Sequence, residues 1–208
     1  MIPVISPAYL PPIEYVAWLL QQETLYFNTT DHFQKQTYRN RCEILGANGV
    51  LKLSIPITHQ AQKTHQNEIE VIPFNSVPWQ KQHWKSLSIA YRSAPFFEFY
   101  EYDLKPLFET QPHKLWDWNL LLIDKILSLL NLPFSYEVVS FDPEQHKRME
   151  YLLNAKVQRP TLFPSYRQVF SDRLGFQANL SIVDLLFNLG PESEAYLNKI
   201  VPIPSTEQ

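Results

Sequence analysis

Three cations fall within seven positions at Lys35, Arg39 and Arg41, with Tyr38 and Asn40 between them and Asp31 just upstream. In an extended chain alternate side chains share a face, so Arg39 and Arg41 point together and Asn40 points away. Two guanidiniums on one face form a fork that suits a carboxylate or phosphate, because each offers paired planar donors and keeps its charge. The implied chemistry is capture of a small anion, with Asp31 orienting one of the groups that handle it. Ordinary pairing of these cations with Asp31 and Glu43 accounts for the same cluster without a ligand. If the fork is a binding site, replacing Arg39 with alanine abolishes binding and leaves the fold intact.

A second candidate lies in residues 78–91, where Trp79, His83, Leu87 and Ala90 recur on one helical face. His83 therefore sits among apolar neighbours. It is either a hydrogen-bonded core histidine or an acid or base whose ordinary pKa lies near neutrality. Trp84 and Tyr91 occupy an adjacent face, where core packing is the commoner use and a stacking platform the rarer one.

Other chemistries find no support. Four glycines in the whole chain cannot supply a phosphate-cradling loop, and a single cysteine excludes an intrachain disulfide or multi-cysteine metal site. Cys42 beside Arg41 reads as a small core thiol rather than an activated thiolate. His59 and His65 match no compact ligand spacing, so no metal is expected, and no cofactor is specified. Asp31, Glu98 and Asp103 are too scattered to read as paired catalytic carboxylates. A net charge of -3 argues against a nucleic-acid partner. The proline-broken N-terminus lacks the pattern of a secretory leader, and no window approaches the roughly 20 apolar residues of a membrane span. The expectation is a cytoplasmic protein with no membrane insertion.

The elements that must position these residues follow from pattern. A hydrophobic share of 45% is ample for a core in one domain. Residues 2–5 read as a strand, 13–22 as a helix and 23–27 as a second strand, which is a βαβ start with parallel strands. Its carboxyl edge would gather the loop at Ser6 to Tyr9 with Asn28 to Asp31. Gly46 to Gly49 predicts a hairpin turn into the strand 50–55, and 68–72 alternates as though pairing with it. Helices are expected over 78–91, 96–108 and 115–129, with Asn75 or Ser76 capping the first. Residues 136–141 predict a short strand, and 142–156 a polar helix with Lys147 and Arg148 on a solvated face. Ser181 and Asp184 fit a capping box opening a buried helix that Gly190 stops. The fold class is thus α/β: a βαβ start plus a β-hairpin forming a mixed sheet over residues 1–75, packed with a mainly helical half over 76–201, and a tail over 202–208.

Four segments in order, ISPAYLPPIEYVAWL, YRNRCEILGANGVLKLSIPI, PWQKQHWKSLSIAYRSAPFFEFYEYDL and YRQVFSDRLGFQANLSIVDLLFNLGPESEAYL, resemble the WbqC-like family. The resemblance covers well over half the chain. It implies an association with bacterial O-antigen and surface-polysaccharide gene clusters, and no defined reaction. Matched residue by residue, it points to Tyr9, Pro11, Arg39, Asn40, Arg41, Gly46 to Gly49, Trp79 and His83. Near the end it points to Tyr166, Gln168, Asn179, Ser181, Asp184 and Asn188. Many members begin with His-Gln-Pro, where this chain has Ile5-Ser6-Pro7, and a segment before the final tyrosine block is shortened here to Tyr151 to Gln158.

Together these readings predict an enzyme acting by group transfer on an anionic, in one form nucleotide-linked, sugar precursor. His83 and Asp31 would be catalytic, and Tyr9, Lys35, Arg39, Asn40, Arg41 and Trp79 would bind the substrate. A non-catalytic binding or scaffold protein is the competing class, and the oligomeric state is left open.

Overall fold

The structure, a computed structural model, describes residues 1–58, 66–132, 135–157 and 160–203. In chain order it has β1 (Ile2–Val4), α1 (Ile13–Leu20), β2 (Leu25–Asn28), β3 (Arg41–Gly46), β4 (Gly49–Ser54), α2 (Trp79–Tyr91), α3 (Phe97–Leu104) and α4 (Leu115–Leu129). Strands β5 (Tyr136–Val139) and β6 (His146–Arg148) follow, then the short helices α5 (Ser171–Leu174), α6 (Ile182–Leu189) and α7 (Ser193–Leu197). The α/β class expected from the sequence is the one observed.

β1 pairs in parallel with β6, and β2 with β5. The two ladders join at a parallel bridge between Ile5 and Phe27, where Ile5 N–H donates to Tyr26 O at 3.1 Å and Asn28 N–H to Ile5 O at 3.0 Å. The βαβ start is therefore present, but its outer strands come from the later half of the chain. β3 and β4 form a separate antiparallel hairpin rather than part of the same ladder. Helix α1 is buried from Ile13 to Leu19, so its lack of a polar face is no defect; α4 and α6 pack their apolar residues into the same core.

Two expectations fail. Residues 68–72 do not pair with the hairpin: Glu68–Glu70 is a 3₁₀ turn, capped by the Asn67 side chain accepting from Ile69 N–H at 3.2 Å. The turn carries Glu68 into the interior, which a strand with exposed alternate positions would not do. Residues 142–156 are not a helix either. They form β6 and a 3₁₀ turn at Glu150–Leu153, because the unpaired edge of β1 takes up His146 to Arg148. The pair His59 and His65 lies outside the described residues, as does the end of the 202–208 tail.

Local signals were otherwise sound, with shifts in detail. Asn75 does not cap α2 through the backbone; its Oδ1 accepts from Trp79 Nε1 at 3.3 Å. Ser181 caps α6, accepting from Val183 N–H, but Asp184 turns away from the capping box into a buried network. Gly190 ends α6 with φ +51°, and a Cβ there would stand 2.6 Å from the Phe96 ring, so only glycine fits.

Candidate functional site

Arg39 lies in a turn before β3, not in an extended strand, so it does not share a face with Arg41. Its backbone oxygen accepts from Asn119 Nδ2 on α4 at 2.7 Å, and the same nitrogen donates to Pro7 O at 3.0 Å. This tie draws the loop after β1 against the arginine turn. The side chain, 1% exposed, runs inward. Nε donates to Glu68 at 2.5 Å, Nη2 donates to both Glu150 oxygens at 2.8 Å, and Nη2 stands 3.7 Å from Asp31.

Asp31 sits at the carboxyl end of β2, where the βαβ pattern placed it. Its Oδ2 accepts from Ser6 Oγ at 3.0 Å, so the two loops do meet at one sheet edge. Tyr15 donates to Ser6 O and steadies that loop. The other oxygen of Asp31 accepts from Arg148 Nε at 2.6 Å, and the Arg148 guanidinium lies 3.4 Å above the Phe141 ring. Arg148 comes from β6 and Glu150 from the 3₁₀ turn after it.

Three carboxyls thus face two guanidiniums. Buried charge is costly unless balanced, so one retained proton makes the group electroneutral. The Asp31 and Glu150 carboxyls are close enough to influence each other's ionisation. Burial raises Asp31, but Glu150, Arg148 and Ser6 outweigh it and hold the group below the usual carboxylate range. Burial raises Glu150, helped by the Asp31 charge and opposed by Arg39. Burial pushes Glu68 up to about 7 against the pull of Arg39. Two carboxyls driven apart in this way are suited to opposite halves of an acid–base pair. They line a cleft of about 320 Å³ formed by Thr30, Asp31, His32, Gln34, Arg148 and Glu150.

The other expected residues lie elsewhere. His83 is buried, and its Nδ1 is 2.8 Å from the Tyr9 hydroxyl. Trp79 packs edge-on against both rings. Burial lowers His83 to about 4, so it is neutral at physiological pH. Asn40 braces β4 by donating to Ile55 O at 2.9 Å. Arg41 is half-buried on β3 opposite Ser54, and Lys35 is exposed. Cys42 is buried, and burial pushes its thiol up. Near the C-terminus, Asp184 accepts from Tyr91 at 2.8 Å, Tyr166 at 2.5 Å and Gln168 at 3.0 Å, and Asn188 bonds its carbonyl. These residues interlock α2 with α6.

Sequence reasoning found Asp31 and Arg39, brought the Ser6 loop to the same edge by topology, and missed Glu68, Arg148 and Glu150. No spacing in the chain marks the last two, since Glu150 lies in a 3₁₀ turn and not in the extended strand of Arg148.

Glu68 and His83 pull pH stability in opposite directions. A raised carboxyl stabilises the fold fully below its ordinary value of 4.5 and loses that contribution as pH rises through about 7. A lowered histidine stabilises above 6.5 and loses its contribution as pH falls toward 4. Glu68→Gln should therefore remove only the falling component. In urea denaturation, wild-type stability minus variant stability is expected to drop by about 3 kcal/mol between pH 4.5 and 7.5. A constant difference would show that Glu68 is ionised throughout.

Compared with known families, residues 6–159 match the WbqC-like protein family, a span that holds every member of the ion cluster. The chain is also similar to the uncharacterized protein Rv1507c of Mycobacterium tuberculosis. The two are 24% identical over 226 residues, taking in 93% of this chain and 96% of the relative. No solved structure matches.

Proposed function

The chain belongs to the WbqC-like protein family, and from that premise we propose that it is a cytoplasmic enzyme of bacterial surface-polysaccharide biosynthesis. It acts by group transfer on an anionic sugar precursor. The observation that carries this reading is the Asp31–Glu150 pair, with its two affinities for protons split, beside Arg148 in an open cleft. Arg148 is 39% exposed along its side chain and bonds Asp31 through Nε, so the far end of its guanidinium is positioned to hold the anion. Ionised Asp31 takes the proton of an acceptor hydroxyl as the new bond forms. The leaving oxygen departs with the electron pair and takes a proton from Glu150. Arg39 and Glu68 act from behind, fixing the pair and its charge. His83, expected to be catalytic, is a core histidine in this reading, buried and bonded to Tyr9.

Among the described residues no helix is long and apolar enough to cross a membrane. The alternative of a non-catalytic binding or scaffold protein draws on one observation: Arg39 is buried and its Nε and Nη2 are bound to Glu68 and Glu150, as in a structural residue.

A thermal-shift screen against sugar phosphates, uronic acids, nucleotide sugars, coenzyme A derivatives and amino acids tests the assignment. A ligand at about 100 times its Kd adds about 2.7 kcal/mol of stability. That shift is expected for an anionic sugar and should vanish in Arg148→Ala. A full shift retained in the variant would remove the cleft from consideration, and no shift with any compound would favour the scaffold.

A further inference from the structure

A second concavity has no part in the site above. It is a groove of about 630 Å³ on the outer side of α2, closed by α3 and the 3₁₀ turn Lys105–Glu109. Lys81, Lys85 and Arg92 lie along α2 and Lys105 faces them; all four are exposed, and none makes an ion pair with a described residue. Glu101 and Glu109 are the acids of the lining, so the groove carries a net excess of two positive charges in a chain whose net charge is -3. Its apolar part is Ile89, 68% exposed, with Trp84 and Phe108.

Ring geometry decides which anion fits. Trp84 stacks on Phe97 at 6.1 Å and 25°, and meets Phe108 at 5.5 Å and 38°. With two rings of the fold packed against it and Trp84 half-buried, little of the indole is left for a nucleobase to stack on. What remains are ring edges, Ile89 and the methylene stems of the lysines, a surface that covers a flexible aliphatic chain well. The cations on the rim suit a strongly charged head group. We propose that this groove is a binding site for one molecule of an aliphatic-chain phosphate, with the chain over Ile89 and Trp84 and the phosphate held by Lys85, Arg92 and their neighbours.

Decyl phosphate, kept below its micelle concentration, is the probe for calorimetric titration of the full chain. Inorganic phosphate and decyltrimethylammonium serve as half-matched controls. The expected result is saturable one-to-one binding of decyl phosphate, weakened by salt and absent for both controls. Lys85→Glu with Arg92→Glu, and separately Ile89→Asp, should each weaken it by about tenfold or more. These side chains are exposed, so melting should be unchanged. Equal binding of inorganic phosphate, or indifference to both variants, would overturn the proposal. So would loss of binding in Arg148→Ala, which would assign the probe to the Asp31 cleft. Sedimentation with anionic phospholipid vesicles, without any binding of monomeric decyl phosphate, would instead identify a membrane-facing surface.

Discussion

Arg39→Ala is expected to destabilise the protein by about 3–5 kcal/mol, the cost of leaving buried charges without their partner. Arg39 donates to both Glu68 and Glu150 and also lies beside Asp31. Glu68 has no solvent to turn to. Measured against the 5–15 kcal/mol by which most domains are stable, this loss consumes much of the fold. The sequence-based expectation was the reverse, binding lost and fold kept, and it rested on Arg39 being a free arm. Urea denaturation followed by far-ultraviolet circular dichroism measures the difference. Adding Glu68→Leu and Glu150→Gln to Arg39→Met should recover most of the stability, since neutral groups of similar volume replace buried pairs at little cost. An alanine variant as stable as wild type would mean that the cluster does not hold the loops together.

What the sequence made legible were features governed by neighbours in the chain. Helical spacing placed α2 and α4 within a residue or two, and Gly190 marked the end of α6. The βαβ start correctly brought Ser6 to Asp31. The partners of Arg39 were not legible, because they arrive from 29 and 111 positions away. Nothing local distinguishes Arg148 and Glu150 from a polar helix face. Only the docking of β6 on β1 extends that stretch and brings Arg148 and Glu150 to Asp31 and Arg39. Glu68 was misread for a similar reason: alternation suggested a strand, whereas its backbone N–H is fixed on Asp31 O at 2.8 Å and its side chain on Arg39. Arg39 and Arg41 appeared as a fork because chain spacing was extended through a turn that the sequence did not announce.

The second large effect is kinetic. Glu150→Gln removes the proton donor of the proposed pair while leaving an amide oxygen to accept from Arg39 Nη2. The Glu150 side chain is one-third exposed, so the change should leave the fold intact. Loss of a general acid or base typically costs 10²–10⁴ in rate, and about that drop in kcat is expected. Asp31→Asn should be at least as severe, because it removes the base and also the carboxylate that orients Arg148. Arg148→Ala should act chiefly on KM, by removing binding that ground state and transition state share.

The most direct test of the Asp31–Glu150 assignment is turnover of the anionic sugar substrates by wild-type protein and by Glu150→Gln, followed by mass spectrometry of the products, with equal melting temperatures confirmed first. The account predicts a transferred sugar product from the wild type and a rate at least about a hundredfold lower in the variant. Equal rates in the two proteins would contradict it, as would a wild-type protein that binds the sugars and never converts them.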